Sequence, residues 1–370
     1  MKILLVGTGG FAAGYIKTLL EKTDDTVVWA GAVDPFITEE NRQLLQENHI
    51  PLYTSMEEYY VNQKADLTII CTPTYLHKEQ CIYALSQGSN VLCEKPVAPT
   101  EAEGREMLAA EETYGKFIAI GFQWSFCQAI LDLKKDILAG VLGKPLGLKT
   151  AIAWPRDLKY YGRSTGWAGS VMRNGHLVLD SIASNACAHY LHNMLFMLGG
   201  AMDESAEVSS VQGKCLRANA IENFDTCTLK METAAGVKLY FAASHAVEQQ
   251  RNPIFEYRFE KATVRYAAAK DATIQAEFTD GTVKDYGVPA HASDFSKLWE
   301  CVKAIRQGER PACTVKTALP HTMCIEKLYR QIPVEDFAKE SVVYNEEKNR
   351  MEVPGLFDRL YRAYETEEML

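Results

Sequence analysis

The first twelve residues do most to limit what this chain can become. Lys2-Ile3-Leu4-Leu5-Val6 reads as a buried strand running straight into the turn Gly7-Thr8-Gly9-Gly10. Ala12 completes a Gly-x-Gly-x-x-Ala pattern, and a helix-like stretch follows with apolar residues at Ala12, Ile16, Leu19 and Leu20. A second apolar run, Val27 to Val33, then ends on Asp34. Each part has a chemical reason. Gly7 allows the tight turn, Gly9 lets the backbone approach a pyrophosphate, and a small residue at Ala12 lets helix and strand pack closely. Thr8, Gly10 and Phe11 complete the turn that opens the helix, whose N-terminus offers N–H groups and a positive dipole end to phosphates. Asp34 can accept hydrogen bonds from both hydroxyls of an adenosine ribose. Strand, glycines, helix, strand and terminal acid in this order mark a dinucleotide site. A purely structural βαβ unit is the competing reading.

The βα alternation continues beyond Asp34. Leu67 to Cys71, Asn90 to Cys93 and Phe117 to Gly121 read as short buried strands, with helices at Tyr75 to Gln87 and Thr100 to Tyr114 between them. Such alternation indicates a doubly wound parallel sheet, whose ligands bind beyond the carboxyl ends of the strands. The segments after Val6, Val33, Cys71, Cys93 and Gly121 are therefore expected to carry a site, including Gln123 as a cofactor contact and Trp124 as a substrate contact.

Near residue 125 the texture changes. Phe126 to Ala139 resembles a linking helix, and from there to about residue 290 the chain is mostly β, interrupted by one long helix expected over Ser181 to Leu198. Further helices are expected at Ser293 to Arg306, Thr317 to Gln331 and Pro354 to Glu367. The 370 residues thus divide into two domains, 1–124 and 125–370. A mostly antiparallel sheet with one helical face leaves another to cover, which favours a homo-oligomer built through that sheet.

A net charge of −9 and the lack of a basic run argue against a nucleic-acid surface or an anionic membrane surface as partner. No stretch approaches the roughly 18 apolar residues of a membrane span, and the chain enters a strand at once without a basic leader, so a cytoplasmic protein is expected. The ten cysteines are scattered, none in C-x-x-C spacing, and read as reduced, buried thiols rather than metal ligands or disulfides.

Three further segments carry chemistry. Thr72-Pro73-Thr74 follows a strand and starts a helix, with Thr74 as a natural N-cap and His77 in the first turn. Glu94-Lys95-Pro96 places charge at the carboxyl end of a strand, where Lys95 could hold a hydroxyl, and Lys95–Pro96 is a candidate cis bond. On the long helix, Asn185, His189, His192 and Asn193 form a polar stripe of amides and imidazoles, suited to recognising hydroxyls, with His189 able to act as acid or base. No third ligand accompanies the two imidazoles, so no metal is expected. Ahead of that helix lie Trp154-Pro155-Arg156, Tyr160-Tyr161-Gly162-Arg163 and Trp167-Ala168-Gly169. Aromatics interleaved with arginines either stack on sugar rings and clamp carboxylates or hydroxyls or anchor a subunit interface.

Val6-Gly7-Thr8-Gly9, Thr72-Pro73-Thr74-Tyr75-Leu76-His77, Glu94-Lys95-Pro96 and His189-Tyr190-Leu191-His192 with Gly199 occur in one order along the chain. In this the chain resembles the Gfo/Idh/MocA family of nicotinamide-dependent oxidoreductases. The resemblance implies an N-terminal Rossmann domain followed by an α/β domain with a large, mostly antiparallel open sheet, in a homodimer or homotetramer. It implies hydride transfer to or from a sugar, polyol or glycoside, with NAD or NADP as cofactor. Gly7, Thr8, Gly9, Gly10, Phe11, Ala12, Asp34, Thr72, Pro73, Thr74, His77, Glu94, Lys95 and Gln123 would then hold the cofactor. Trp124, Arg156, Tyr161, Arg163, Trp167, Asn185 and His192 would hold substrate. Lys95 and His189 would be catalytic. The family's acidic residue three positions after the histidine is His192 here, so either Asp180 supplies the carboxylate or Asn185 takes its place. Pro35-Phe36 after Asp34, in place of a basic residue, favours NAD, with Arg42 the nearest counter-argument. A redox-neutral glycosidase of the same fold, which oxidises, eliminates and re-reduces, is the alternative; a non-catalytic dinucleotide sensor is a third.

Overall fold

A computed structural model describes residues 1–21, 24–162, 166–289 and 295–370. Two compact units emerge: Met1–Phe126 with Ala290–Leu319, and Cys127–Pro289 with Pro320–Leu370.

In the first unit, β1 (Lys2–Val6), α1 (Ala12–Leu20), β2 (Val28–Val33), α2 (Glu39–Glu47), β3 (Leu52–Tyr53), α3 (Met56–Tyr60), β4 (Leu67–Ile70), α4 (His77–Ser86), β5 (Asn90–Cys93), α5 (Glu101–Tyr114) and β6 (Ile118–Ile120) alternate as expected. The strands form one parallel sheet in the order β3-β2-β1-β4-β5-β6, a Rossmann arrangement whose strand order reverses between β1 and β4. Continuous apolar runs explain it: Ile3, Leu4, Leu5, Ile69, Ile70, Val91, Leu92 and Ile118 are all buried, as strands covered on both faces require. The edge elements α2, β3 and α3 have too few apolar residues to stand out in sequence; side-chain caps from Thr38 and Ser55 start the two helices.

The boundary drawn at residue 124 misses one return of the chain. Helix Ser296–Gln307 packs with this unit, and Ile120 N–H donates to the Cys313 carbonyl at 2.9 Å. The expected start of that helix at Ser293 lies outside the described residues.

Glu111 on α5 supports β6 from beneath. Its Oε1 accepts the Ile118 N–H at 2.6 Å and lies 3.4 Å from Arg310, while its side chain is essentially inaccessible to water. Burial pushes its carboxyl up to about 7, against the opposing pull of the Ile118 bond and Arg310. A raised folded-state value means stability present below the ordinary carboxylate range and lost as pH climbs through neutrality. Glu111→Gln, which keeps the acceptor for Ile118, should therefore narrow the stability difference between pH 5 and pH 8 by on the order of 2 kcal/mol. Urea titrations at the two pH values measure it; an unchanged difference contradicts the assignment.

In the second unit, α6 (Gln128–Leu138) leads into β7 (Pro145–Ala153), the short α7 (Leu158–Tyr161), the hairpin β8 (Met172–Arg173) and β9 (His176–Leu177), and α8 (Ala188–Met197). Then come β10 (Val208–Arg217), β11 (Thr226–Thr233), β12 (Lys238–Ser244), β13 (Arg251–Phe259), β14 (Ala262–Ala267), β15 (Ile274–Phe278), β16 (Val283–Gly287) and β17 (Val334–Asp336). Nine strands form a large, mostly antiparallel sheet in the order β16-β15-β14-β13-β7-β12-β11-β10-β17. Only the β7–β12 and β10–β17 pairings are parallel. Helix Leu356–Thr366 covers Ala151, Ala153, Tyr240 and Ala242 through Leu356, Leu360, Tyr361 and Tyr364. Across β7 and β13–β15, Lys149, Glu256, Arg265 and Glu277 form a ladder of ion pairs. That part of the sheet is therefore charged.

α8 is shorter than expected because residues 182–187 form turns, and Leu191 to Met197 are all buried. Only its first turn, with His189 and Tyr190, stays partly accessible, so the helix presents no continuous solvent stripe.

Candidate functional site

The phosphate turn is built into the first unit's sheet. Gly7 adopts φ +83°, and a Cβ there would come within 3.0 Å of the Cys71 backbone at the end of β4, so the two strand ends approach as closely as a glycine allows. A Cβ at Gly9 or Gly10 would meet only open space. α1 starts at N-cap Phe11 with no side-chain cap, whereas α2, α3 and α5 are capped by Thr38, Ser55 and Thr100. An uncapped helix start beside open glycines turns its positive dipole end toward an anionic ligand. Asp34, half-buried after β2, is aimed by its own contacts. Oδ2 accepts the Thr8 N–H and hydroxyl at 2.9 and 2.7 Å, and Oδ1 accepts the Phe36 N–H at 2.9 Å. Ala12 is buried in full, as close helix–strand packing demands. Open glycines, an uncapped helix start and an aimed carboxylate fit a dinucleotide.

The next two motifs lie at the carboxyl ends of β4 and β5. Thr72 donates its hydroxyl to Gln80 at 2.5 Å. Thr74 is not the expected N-cap: it opens a 3-10 turn (Thr74–Leu76) that Leu76 N–H closes on the Pro73 carbonyl, and α4 follows from His77. His77 is also not placed as a cofactor contact. It is 1% exposed, with Nδ1 2.9 Å from the Pro96 carbonyl and Nε2 3.0 Å from the Thr72 carbonyl. Burial lowers its pKa, against the pull of those carbonyls. The ring braces the two loops to each other.

Glu94 is buried, and its Oε1 accepts both the Tyr15 hydroxyl at 2.7 Å and the Lys297 ammonium at 2.6 Å. Lys297 is wholly buried, also donates to the Gly121 carbonyl at 3.2 Å, and lies 4.7 Å from the Phe11 ring centroid. One ammonium thus ties the glycine turn, the end of β5 and the end of β6. Lys95 follows directly, half-buried, and the Lys95–Pro96 bond is cis. Gln123 and Trp124 lie in a 3-10 turn (Gln123–Phe126) after β6, and both are buried. Sequence reading missed Tyr15 and Lys297. The available signal was a lysine on the face of helix Ser296–Gln307 that also carries Cys301 and Ala304.

The second unit gathers its polar residues where β7 and β12 end side by side. Trp154 and Arg156 follow β7, and His245 follows β12. His245 Nδ1 lies 2.6 Å from the Trp154 carbonyl, and Arg156 N–H donates to the His245 carbonyl at 3.2 Å. Tyr160 meets His245 at a tilt, at 5.7 Å, and Tyr161 edge-on at 5.1 Å. The Tyr161 hydroxyl is buried without a partner; burial raises its pKa, and Asp225, Tyr160 and Asp180 add to the effect. Trp154 meets Tyr190 edge-on at 5.6 Å, and Tyr190 meets His189 at 6.5 Å. Asp180 is buried and accepts the Gly169 N–H at 2.6 Å, which anchors the loop carrying the half-buried Trp167. Asn185 is half-buried in the turns before α8. Arg163 lies outside the described residues.

His192 does not face a ligand. It is fully buried, stacked on Phe196 at 5.9 Å, and its pKa falls well below the ordinary value through burial, with His321 and Lys134 adding to it. Asn193 is likewise internal, donating to the Tyr257 hydroxyl at 3.0 Å. Of the stripe, Asn185 and His189 stay half-buried while His192 and Asn193 are internal. Among the described residues, no group of three or more His, Cys, Asp or Glu side chains is arranged to hold a metal ion, and no helix is long and apolar enough to cross a membrane.

Residues 1–122 match the family described as "Oxidoreductase family, NAD-binding Rossmann fold". The 2,7-anhydro-N-acetylneuraminate hydratase of Mediterraneibacter gnavus is 27% identical over 203 residues, 54% of this chain and 50% of the relative. The D-glucoside 3-dehydrogenase of Escherichia coli is 31% identical over 149 residues, 40% of each chain. The matches therefore span half or less of these relatives' length. In overall fold the chain is similar to the WlbA dehydrogenase from Chromobacterium violaceum, solved with NADH and UDP-GlcNAcA, at TM-score 0.73 and 23% identity, covering 89% of this chain and 93% of that one. Residues 1–122 thus carry the NAD-binding Rossmann unit of that oxidoreductase family, and over the rest of the chain the likeness is one of fold.

Proposed function

We propose that this protein transfers a hydride between NAD and a hydroxyl-bearing carbon of a sugar, polyol or glycoside. One observation carries the reading. The open phosphate turn after β1, the aimed carboxylate after β2 and the Glu94-Lys95 pair after β5 occupy one edge of one parallel sheet. When bound, the nicotinamide ring supplies the hydride acceptor or donor. Lys95 holds and polarises the reacting oxygen, and His189 accepts or returns its proton. Asp180 holds the Trp167 loop through Gly169, and Asn185 is a further polar contact for substrate. Steady-state turnover with a panel of sugars and NAD+ tests the activity.

The cofactor preference follows from Asp34, whose carboxylate would repel a 2′-phosphate. Arg42 does not offset it, being engaged with Glu39 at 3.6 Å. NAD+ should bind at least about 10-fold more tightly than NADP+, and Asp34→Ser should erase most of that margin. Calorimetric titration checks it; equal affinities in the unaltered protein contradict it.

The redox-neutral alternative draws on the likeness to an enzyme named a hydratase. It differs in one observable, substrate consumption without net nicotinamide reduction. The assembly we favour is a homodimer or homotetramer through the second unit's sheet. Its contact would include the Lys149–Glu256–Arg265–Glu277 ladder, so light scattering should show it loosening as salt rises. All ten cysteines are free thiols, which suits a cytoplasmic enzyme.

A further inference from the structure

The second unit holds an arginine that its own fold does not use. Arg156 leaves the carboxyl end of β7 with its backbone pinned to His245, and its guanidinium lies over Trp154 at 5.6 Å and over Tyr160 at 5.1 Å. Arg217, Arg258, Arg265 and Arg350 of the same unit each have a carboxylate at ion-pair distance. Arg156, like Arg251, has none among the described residues, and Arg156 alone of these has an Nε that is buried without a hydrogen-bond partner.

Two buried carboxylates of the same unit are already engaged. Asp225 accepts from Ala218 N–H, from the Asn219 N–H and side-chain amide, and from the Thr226 hydroxyl. Asp180 accepts the Gly169 N–H. Beside Arg156, the Tyr161 hydroxyl is a second buried donor without a partner, and Tyr160 touches both residues. The ring contacts from Trp154 through Tyr190 reach His189, so this pair of donors continues the wall that carries the proposed acid–base group.

A half-buried guanidinium whose inward Nε lacks an acceptor is costly until one arrives. Aromatic stacking restrains the guanidinium plane and leaves its N–H edge for a planar, bidentate anion. A neutral hydroxyl would satisfy one donor and leave the charge uncompensated. We propose that Arg156 and Tyr161 form an anion subsite, and that the substrate is a sugar bearing a carboxylate. This rests on the reading of the second unit as the substrate-binding part of the enzyme.

The test is equilibrium binding, which needs no turnover. Full-length protein saturated with NAD+ is titrated calorimetrically with methyl glucuronide, N-acetylneuraminate, methyl glucoside and inorganic phosphate. The carboxylated sugars should bind at least about 10-fold more tightly than methyl glucoside. Arg156→Met should erase that margin, Arg156→Lys should keep part of it, and both should melt like the unaltered protein. Three results overturn the proposal: equal binding of acidic and neutral sugars, a margin that survives Arg156→Met, or phosphate outcompeting the carboxylated sugars. A variant that melts early is replaced by Tyr161→Phe, which should cut carboxylate binding alone; no cut overturns the proposal. Carboxylate-selective binding without nicotinamide reduction would refute the redox reading and leave the subsite standing.

Discussion

Lys297→Met is expected to destabilise the first unit by about 3 to 5 kcal/mol. The reason is what it strands. Glu94 is buried and Lys297 is wholly so, and their 2.6 Å contact is the carboxylate's one ion pair among the described residues. Removing the ammonium leaves a desolvated negative charge supported by the Tyr15 hydroxyl alone, and it frees the Gly121 carbonyl. There is no room for Glu94 to swing aside on the β6 side, because even a Cβ on Gly121 would lie 2.8 Å from its Oε1. The double variant Glu94→Gln/Lys297→Met removes both charges and should return at least half of the loss. Chemical denaturation of the four proteins measures the cycle. A single-variant loss under about 1 kcal/mol, or a double variant no better than the single, would show that the pair does not hold this edge together.

Lys95→Met is expected to lower kcat by at least about 10²-fold while leaving NAD+ affinity nearly unchanged. Lys95 is half-buried and follows a residue that Lys297 and Tyr15 clamp, so its backbone position does not depend on its own ammonium. The phosphate turn and Asp34 lie after β1 and β2 and keep their contacts in the variant. Turnover and cofactor binding should therefore separate. Steady-state rates with a calorimetric NAD+ titration check this, and near-normal turnover would remove Lys95 from the chemistry.

Much of this was legible in the sequence where local pattern and fold agree. The strand–glycine–helix unit, the Asn90–Cys93 strand and the glycine-bounded helices follow from apolar runs and turn residues that decide their own conformation. What the pattern could not supply was partners distant in the chain. Lys297 meets Glu94 across 203 positions, and no local rule links them. His77 looked like a solvated or ligand-facing residue, since nothing in its neighbourhood shows that Thr72 and Pro96 carbonyls flank it. His192 failed for a different reason. Helical periodicity places it on a stripe with His189, but tertiary packing buries α8 from Leu191 to Met197, so spacing alone misjudged which polar residues remain accessible. The edge strand β16, with its exposed Val283-Lys284-Asp285, lacked the apolar alternation that marks a strand.

The most direct test of hydride transfer is a single-turnover absorbance trace, with enzyme in excess over NAD+ and challenged with sugars, inositols, uronates and glycosides. A persistent rise in reduced-nicotinamide absorbance with one compound class is the predicted result. A flat trace with the compound consumed would transfer the assignment to redox-neutral cleavage. No rise and no consumption across the whole panel would contradict an oxidoreductase acting on sugar hydroxyls.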